Sequence, residues 1–374
     1  MTSSRSACGR AALAIAILSG GGCTDSGQDP SATPDSTTTT GTAVDPSRAI
    51  EATLDEWAAR GPGAVAVGIE RHGSGLQLFA AGATGHGDEV VTPDSPFRVG
   101  SLSKTVVAVM VLQLVDEGAI ELDAPLITYL PDLAIPDGIT TRQLLAHRSG
   151  LPEHTDGELV PAVLADPARA WTPTDVLALV ADQPLDFEPG KNFGYSNTNY
   201  IVAGLLLEQV TGRSLTENLD ARLVEPLGLT TTYFAPDPQR APITGYSSDL
   251  AGGTTDASPY TALETAAGAA GSLVSTVPDL ATFIRALAHG ELLSEATYEE
   301  MIDGLPAEGH SLGVFPSDPP TATGIANSGA IPGFTAYMQV DPATDDLLIL
   351  LVSDDTRDVD ALGTAVVAAA TAFG

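Results

Sequence analysis

The sequence predicts a mixed α/β (α+β) protein whose sheet is assembled from both ends of the chain around a mostly helical middle. Three observations carry that expectation. Near the N-terminus two strand-like runs, Ala64–Glu70 and 76–81, are joined by Gly73-Ser74-Gly75. Near the C-terminus, 335–340 and 347–352 are strand-like and are separated by the acidic turn 341–346. Between them, from about 120 to 260, short helical segments alternate with loops, and no internal repeat is visible.

Taken in order, residues 1–23 form a targeting segment. Arg5 and Arg10 give a positive start, 11–18 are apolar, and Ser19-Gly20-Gly21-Gly22-Cys23 follows. A small residue before a cysteine resembles the lipobox of bacterial lipoproteins, with Cys23 as the lipidated residue. Here Gly20 stands where leucine is usual. Residues 24–46 are rich in Thr, Ser, Pro, Gly and Asp and bury little apolar area, so they read as a disordered tether. The folded unit is expected over 47–374. Residues 46–60 read as an amphipathic helix, and the two N-terminal strands follow. Thr172-Pro173 opens another helix with a cap and a proline at its first position. A helix over 200–210 stops at Gly212, a further one spans 277–287, and the last runs from about 359 to 372.

Charge and cysteine count exclude several classes. The chain has 374 residues with 48 Asp and Glu against 16 Lys and Arg, a formal net charge of −32. Nucleic acid needs a basic footprint that is absent here. The same balance speaks against a basic membrane-surface patch, leaving a lipid anchor as the membrane contact. Cys8 and Cys23 are the two cysteines. Cleavage at Cys23 leaves one terminal thiol and no internal disulfide.

The chemistry-bearing signal is a lysine. Lys104 and Lys191 are the two lysines of the chain. Lys104 lies three residues after Ser101, at the start of the apolar run 106–112, which stops near Gly118. Residues three apart share a helix face, which brings the amine beside the hydroxyl. A helix apolar on nearly all sides is buried, and this one is too short to span a bilayer, which takes about 20 residues. Ser101 is then at a helix N-terminus, where free N–H groups and the helix dipole favour developing negative charge. Arginine could not take over proton transfer there, because it stays protonated, whereas a buried lysine can serve as a base.

Two further stretches stand downstream. Glu188 to Tyr200 contains Tyr195-Ser196-Asn197 just before a helix, and Asn327-Ser328-Gly329-Ala330-Ile331-Pro332-Gly333-Phe334 reads as a strand edge. An aromatic residue and an amide before a helix usually pack and cap. An H-E-x-x-H metal spacing and a P-loop are absent from the sequence.

In this order and spacing the three stretches resemble the serine β-lactamase and D-alanyl-D-alanine carboxypeptidase superfamily: S-x-x-K, then Y-x-N, then a variant third motif. Y-x-N points to the class C-like branch. Supporting segments include 97–104, 112–118, 144–152 and 270–276, and the resemblance covers roughly 48–370. It implies an antiparallel sheet of about five or more strands flanked by helices, with a helical insert lobe over about 120–260. It implies Ser101 as acylating nucleophile, with Lys104 and Tyr195 sharing the acid and base work. Asn197 would hold the substrate amide, and the N–H groups of Ser101 and Ala330 the oxyanion. Asn327 and Ser328 complete the substrate-binding set. No metal or cofactor is implied. His147 lies outside the chemical motifs and reads as structural, and Lys191 as a surface residue.

The departure is Asn327. Relatives usually carry Lys or His there, a cation that helps hold a substrate carboxylate. No Lys or Arg occurs between Arg285 and Arg357. His310, on a preceding strand, and arginines of the insert remain as sources of positive charge. The best reading is an exported, lipid-anchored serine hydrolase of carboxypeptidase type acting on cell-wall peptide. A class C-like esterase, amidase or β-lactamase, and a penicillin-binding module without turnover, are the alternatives. Its substrate is then a stem peptide, a β-lactam or an ester.

Overall fold

The computed structural model describes residues 45–250, 254–305 and 309–370. The expected targeting segment with Cys23, most of the expected tether and the last residues of the helix expected over 359–372 lie outside the described residues. The strands in chain order are β1 (Ala64–Glu70), β2 (Gln77–Gly82), β3 (Phe97–Arg98), β4 (Tyr233–Phe234), β5 (Tyr246–Ser247), β6 (Thr255–Asp256), β7 (Leu273–Ser275), β8 (Phe315–Pro316), β9 (Ile325–Ile331), β10 (Phe334–Asp341) and β11 (Asp346–Val352). The helices are α1 (Pro46–Ala58), α2 (Leu102–Asp116), α3 (Thr141–Leu145), α4 (Leu159–Ala165), α5 (Pro173–Ala178), α6 (Thr198–Thr211), α7 (Leu215–Leu219), α8 (Glu225–Leu227), α9 (Thr261–Gly271), α10 (Val277–Ala288), α11 (Glu295–Ile302) and α12 (Val359–Ala370).

The main sheet has six strands in the order β2-β1-β11-β10-β9-β8, every neighbouring pair antiparallel. Both ends of the chain meet at its centre, where Val67 pairs with Leu350 of β11. Successive strand residues face opposite sides. Val65 and Val67 therefore meet Ile50, Leu54 and Trp57 of α1 and Val366 of α12, while Ala64 and Ala66 face the larger core containing α2 and α10. Helix α1 starts as its sequence directs, with Asp45 accepting from the Ser47 N–H and Pro46 in the first turn. Helix α6 stops at Gly212, whose φ of +68° suits glycine.

Helix α2 is buried along almost its whole length, including the polar Ser103, Lys104 and Thr105. Its first turn is pressed against β9. A Cβ on Gly329 would stand 2.0 Å from Val99 O and 2.8 Å from Ser101 N. Gly100 has φ +52°, and a Cβ there would stand 2.7 Å from Ala330 N. Both glycines are required by close backbone approach. β8 pairs with β9 at Ala326 and Ile325, so the edge of β9 past Asn327 has no strand beside it from β8.

The middle of the chain is not purely helical. It includes the short strands β4, β5 and β6, with β4 joined to β3 through β7. Helix α9 is an element that periodicity missed, because Gly268 interrupts it with φ 42° and ψ −133°. His310 does not sit on a strand; it precedes β8 in an irregular segment. Gly329→Ala is expected to destabilise the fold by about 3 kcal/mol, since the added methyl meets backbone that cannot yield. Gly73→Ala, at a positive φ of +68° but with open space around it, is expected to cost only about 1 kcal/mol. Urea denaturation of both variants checks this, and equal losses would remove the packing argument.

Candidate active site

The turn between β3 and α2 delivers Ser101. Gly100 takes the left-handed conformation, and the buried Ser103 locks the turn by donating to Gly100 O at 2.6 Å while accepting from Leu273 N at 3.0 Å. Ser101 is the N-cap of α2, yet its side chain makes no capping bond. Its Oγ lies instead 2.8 Å from the Tyr195 hydroxyl and accepts from Lys104 Nζ at 2.9 Å.

Lys104 is held from three directions. Its Nζ also donates to Asn197 Oδ1 and to Ala270 O, each at 2.7 Å. Three acceptors match the three donors of an ammonium. Ala270 lies in the last turn of α9, where carbonyls lack helical partners. Arg98, three residues before Ser101, ties α9 down through a buried ion pair in which Nε donates to Glu264 Oε1 at 2.7 Å.

Tyr195 and Asn197 come from the loop before α6. Asn197 is the N-cap of α6 but makes no side-chain capping bond, because its amide is committed elsewhere. Oδ1 faces Lys104, while its backbone N–H and Nδ2 donate to Glu153 Oε2 at 2.6 and 3.1 Å. Tyr195 is 40 % exposed for so large a side chain. It stacks on His147 with ring centroids 4.4 Å apart. His147 also grips the loop on both sides of Tyr195. Its carbonyl accepts from Gly194 N at 2.9 Å and its Nδ1 from Ser196 N at 3.2 Å.

His147 therefore reaches the chemical motifs that its place in the sequence left aside. It is buried and has φ +54°, a conformation that a non-glycine residue keeps only when its surroundings impose it. Burial, then the positive charges of Lys104 and His310, push its imidazole down to about 3. It is thus a neutral acceptor at working pH and adds no charge beside Lys104.

The third stretch divides. Ala330 is exposed and lines a cavity of about 140 Å3 that also touches Ser101, Asn197 and Ala270. Its backbone abuts Gly100, so the N–H groups of Ser101 and Ala330 are brought together. Ser328 is half-buried on the same strand. Asn327 does not face the cleft. It is 3 % exposed, its Nδ2 donates to Thr105 Oγ1 at 2.7 Å, and its Oδ1 accepts from Ser328 N at 2.7 Å. The expectation that it binds substrate is corrected: an amide is short and fully hydrogen-bondable, so it finishes a buried network between β9 and α2. Lys191 is exposed, as expected. His310 packs its ring on Phe193 at 4.0 Å, near His147.

Sequence reasoning missed Glu153, the Ala270 carbonyl and the grip of His147. Glu153 and His147 lie within the 144–152 supporting segment or beside it, which was the available signal. A backbone carbonyl carries none.

Helices on both faces of an antiparallel sheet, with a serine, a lysine and a tyrosine converging under one sheet edge, define the β-lactamase and DD-peptidase class of fold. The sequence model of the Beta-lactamase family matches residues 48–373, and the chain belongs to that family. It is 27 % identical over 259 residues to the putative penicillin-binding protein PbpX of Bacillus subtilis, covering 69 % of this chain and 62 % of that protein. It is 33 % identical over 192 residues to esterase EstB of Burkholderia gladioli, covering 48 % of each. The chain thus spans less than two thirds of the length of these curated relatives. Among solved structures it resembles D-amino acid amidase from Ochrobactrum anthropi SV3, with a TM-score of 0.75 and 27 % identity, covering 88 % of this chain and 99 % of that one.

His147 supplies a pH test. Unfolded, it binds a proton below about 6.5; folded, only near 3. Falling pH between those values therefore favours the unfolded state, by about 1.4 kcal/mol per pH unit from this one residue. His147→Asn, which also tolerates a positive φ, is expected to show a shallower fall in unfolding free energy from pH 6 to 4 than the wild type. Parallel slopes in denaturant titrations would show that the imidazole titrates normally.

Proposed function

We propose that this chain is a serine hydrolase that turns over small amides and esters through an acyl-enzyme on Ser101. The observation that carries the reading is the single hydrogen-bonded group formed by Ser101, Lys104, Tyr195 and Asn197. In the reacting state the Tyr195–Lys104 pair carries one proton fewer than a phenol and an ammonium together, and Ser101 Oγ attacks the substrate carbonyl as its proton passes to that vacant position. That pair returns the proton to the departing nitrogen or oxygen. Water then attacks the ester, and Ser101 regains its hydroxyl. The Ser101 and Ala330 N–H groups receive the oxyanion, each such donor contributing roughly 3 kcal/mol at the transition state. The resemblance to an esterase and to a D-amino acid amidase supports this class of substrate. Carboxypeptidase action on wall peptide is the second reading. The burial of Asn327 counts against it, because no cation stands at that position to meet a terminal carboxylate.

A fluorophosphonate probe is expected to label Ser101 alone, as read by mass spectrometry, and Lys104→Arg to lower ester turnover by about a hundredfold or more. A panel of p-nitrophenyl esters, amino-acid amides, nitrocefin and a D-alanyl-D-alanine peptide separates the readings. Fast cleavage of the peptide with weak action on amides and esters would favour the carboxypeptidase. A burst without steady turnover would mark a binding module. An adduct elsewhere, such as Ser103, would sink the mechanism.

We also propose that the protein is exported and held on the outer face of the cytoplasmic membrane by a lipid on Cys23, with 24–46 as tether. Cys23→Ala is expected to release the protein to the medium or block its maturation. A wild-type protein found wholly soluble and cut at another bond would leave secretion alone.

A further inference from the structure

The acyl-transfer steps leave one buried imidazole of the cleft unused. His154 is 1 % exposed, yet it lines the cavity of about 140 Å3 that opens on Ser101. Its Nδ1 lies 3.2 Å from Thr198 Oγ1 and 3.7 Å from Glu153 Oε1. The proton on the first contact can be placed. Thr198 has one hydroxyl proton and gives it to Pro152 O at 2.6 Å. Its oxygen is then an acceptor, taking the His154 N–H at 3.2 Å and, by the same count, an Nδ1–H. Burial lowers the basicity of the ring against the pull of Glu153, and the charge of Lys104 lowers it further. A neutral ring with its proton on Nδ1 keeps a lone pair on Nε2. Among the described residues Nε2 has no hydrogen-bond partner, so that lone pair is left for the cavity.

The rest of the lining tells what would meet it. Leu159 of α4, Leu263, Ala266 and Ala267 of α9, and Ile331 with Pro332 form apolar walls. An apolar cavity of about 150 Å3 holds a benzene-sized group, so this one suits a single ring or a branched side chain. Tyr195, beside which the leaving group departs, is not among the lining residues, so the cavity takes the acyl part of the substrate. Two other polar side chains of the lining are committed: Asn197 to Lys104 and Glu153, Ser101 to Lys104 and Tyr195. A wholly apolar acyl group would leave Nε2 dry and unpaired, and a charged one would give up its water inside apolar walls; both are costly. A neutral donor avoids both costs. Thr155 lines the cavity next to His154 and brings a hydroxyl. A substrate hydroxyl can give its proton to Nε2 and accept from Thr155 Oγ1, whereas an N–H uses only the first and a methyl neither.

We propose that His154 Nε2 reads a neutral hydroxyl on the acyl part of the substrate, so that this cleft takes ring-sized apolar acyl groups carrying one hydroxyl in preference to the same groups without it. The inference deepens the acyl-enzyme reading above and rests on it. In this role His154 sets specificity and takes no part in the proton transfers at Ser101.

The test measures kcat/KM on the full chain for p-nitrophenyl esters of phenylacetic acid bearing a hydroxyl, methyl or methoxy group, meta or para, each relative to its alkaline hydrolysis. The wild type is expected to prefer the hydroxyl over the methyl compound about tenfold or more in the better isomer, since a site built for a donor rejects the analogue without one. The methoxy compound, which accepts but cannot donate, should fare no better than the methyl. His154→Asn keeps a donor at the place of Nδ1 and removes Nε2, and should bring the hydroxyl-to-methyl ratio close to one. His154→Gln returns an acceptor oxygen near the place of Nε2 and should recover part of the ratio. A wild-type ratio at or below one overturns the inference, and so does a ratio that survives intact in His154→Asn. Should neither variant fold, the methoxy ester decides in the wild type: turnover equal to that of the hydroxyl ester shows that no acceptor reads the group and overturns the inference. Labelling of Ser101 by the fluorophosphonate separates the two levels. A labelled enzyme indifferent to the hydroxyl defeats this inference alone, whereas absence of the label defeats the acyl-enzyme reading and this inference together.

Discussion

A buried lysine amine organises the centre of this molecule. Lys104 is 2 % exposed on a largely apolar helix, so its donors must be met from within the protein. They are met from three separate parts of the chain: Ser101 at the start of α2, Asn197 before α6 and Ala270 at the end of α9. Each of those parts is set by its own local device. Gly100 turns the chain into α2, the uncapped Asn197 leaves α6 with its amide free for the lysine, and the Arg98–Glu264 pair anchors α9. The site is therefore a junction at which the helical layer is satisfied, and removing the amine would leave three polar partners facing one another.

The tyrosine is controlled differently. A phenol 40 % exposed on a loop has freedom to swing, and the loop by itself supplies no rigid frame. His147 removes that freedom by stacking on the ring and bonding both flanking peptides. It does so from a left-handed backbone conformation, a local strain kept up by the surrounding contacts. Its depressed basicity matters as much as its shape. A charged imidazole there would repel Lys104 and could no longer accept from Ser196 N at Nδ1.

Charge in the cleft follows from these placements. Lys104 is committed to internal partners, Asn327 is turned into the core, and Glu153 stands nearly buried at the Asn197 end. The third motif carries no cation at Asn327, while Ser101 stands within hydrogen-bonding reach of both Lys104 and Tyr195.

Much of this was legible in the sequence. Alternation and turn residues located β1, β10 and β11, the apolar run located α2, and Thr172-Pro173 and Gly212 marked helix ends, because these are local preferences of backbone and side chain. The scarcity of lysine singled out Lys104, and the order of the motifs picked out Ser101, Tyr195 and Asn197. What tertiary structure alone decided was direction and partnership. Whether Asn327 faced the cleft depended on the register of β9 against α2, and a strand shifted by one residue would have reversed it. The break at Gly268, the carbonyl of Ala270, the grip of His147 and the closeness of Glu153 to Asn197 arise from contacts between residues distant in the chain. Periodicity and motif spacing record the neighbours a residue has along the chain; only packing sets the neighbours it has in space.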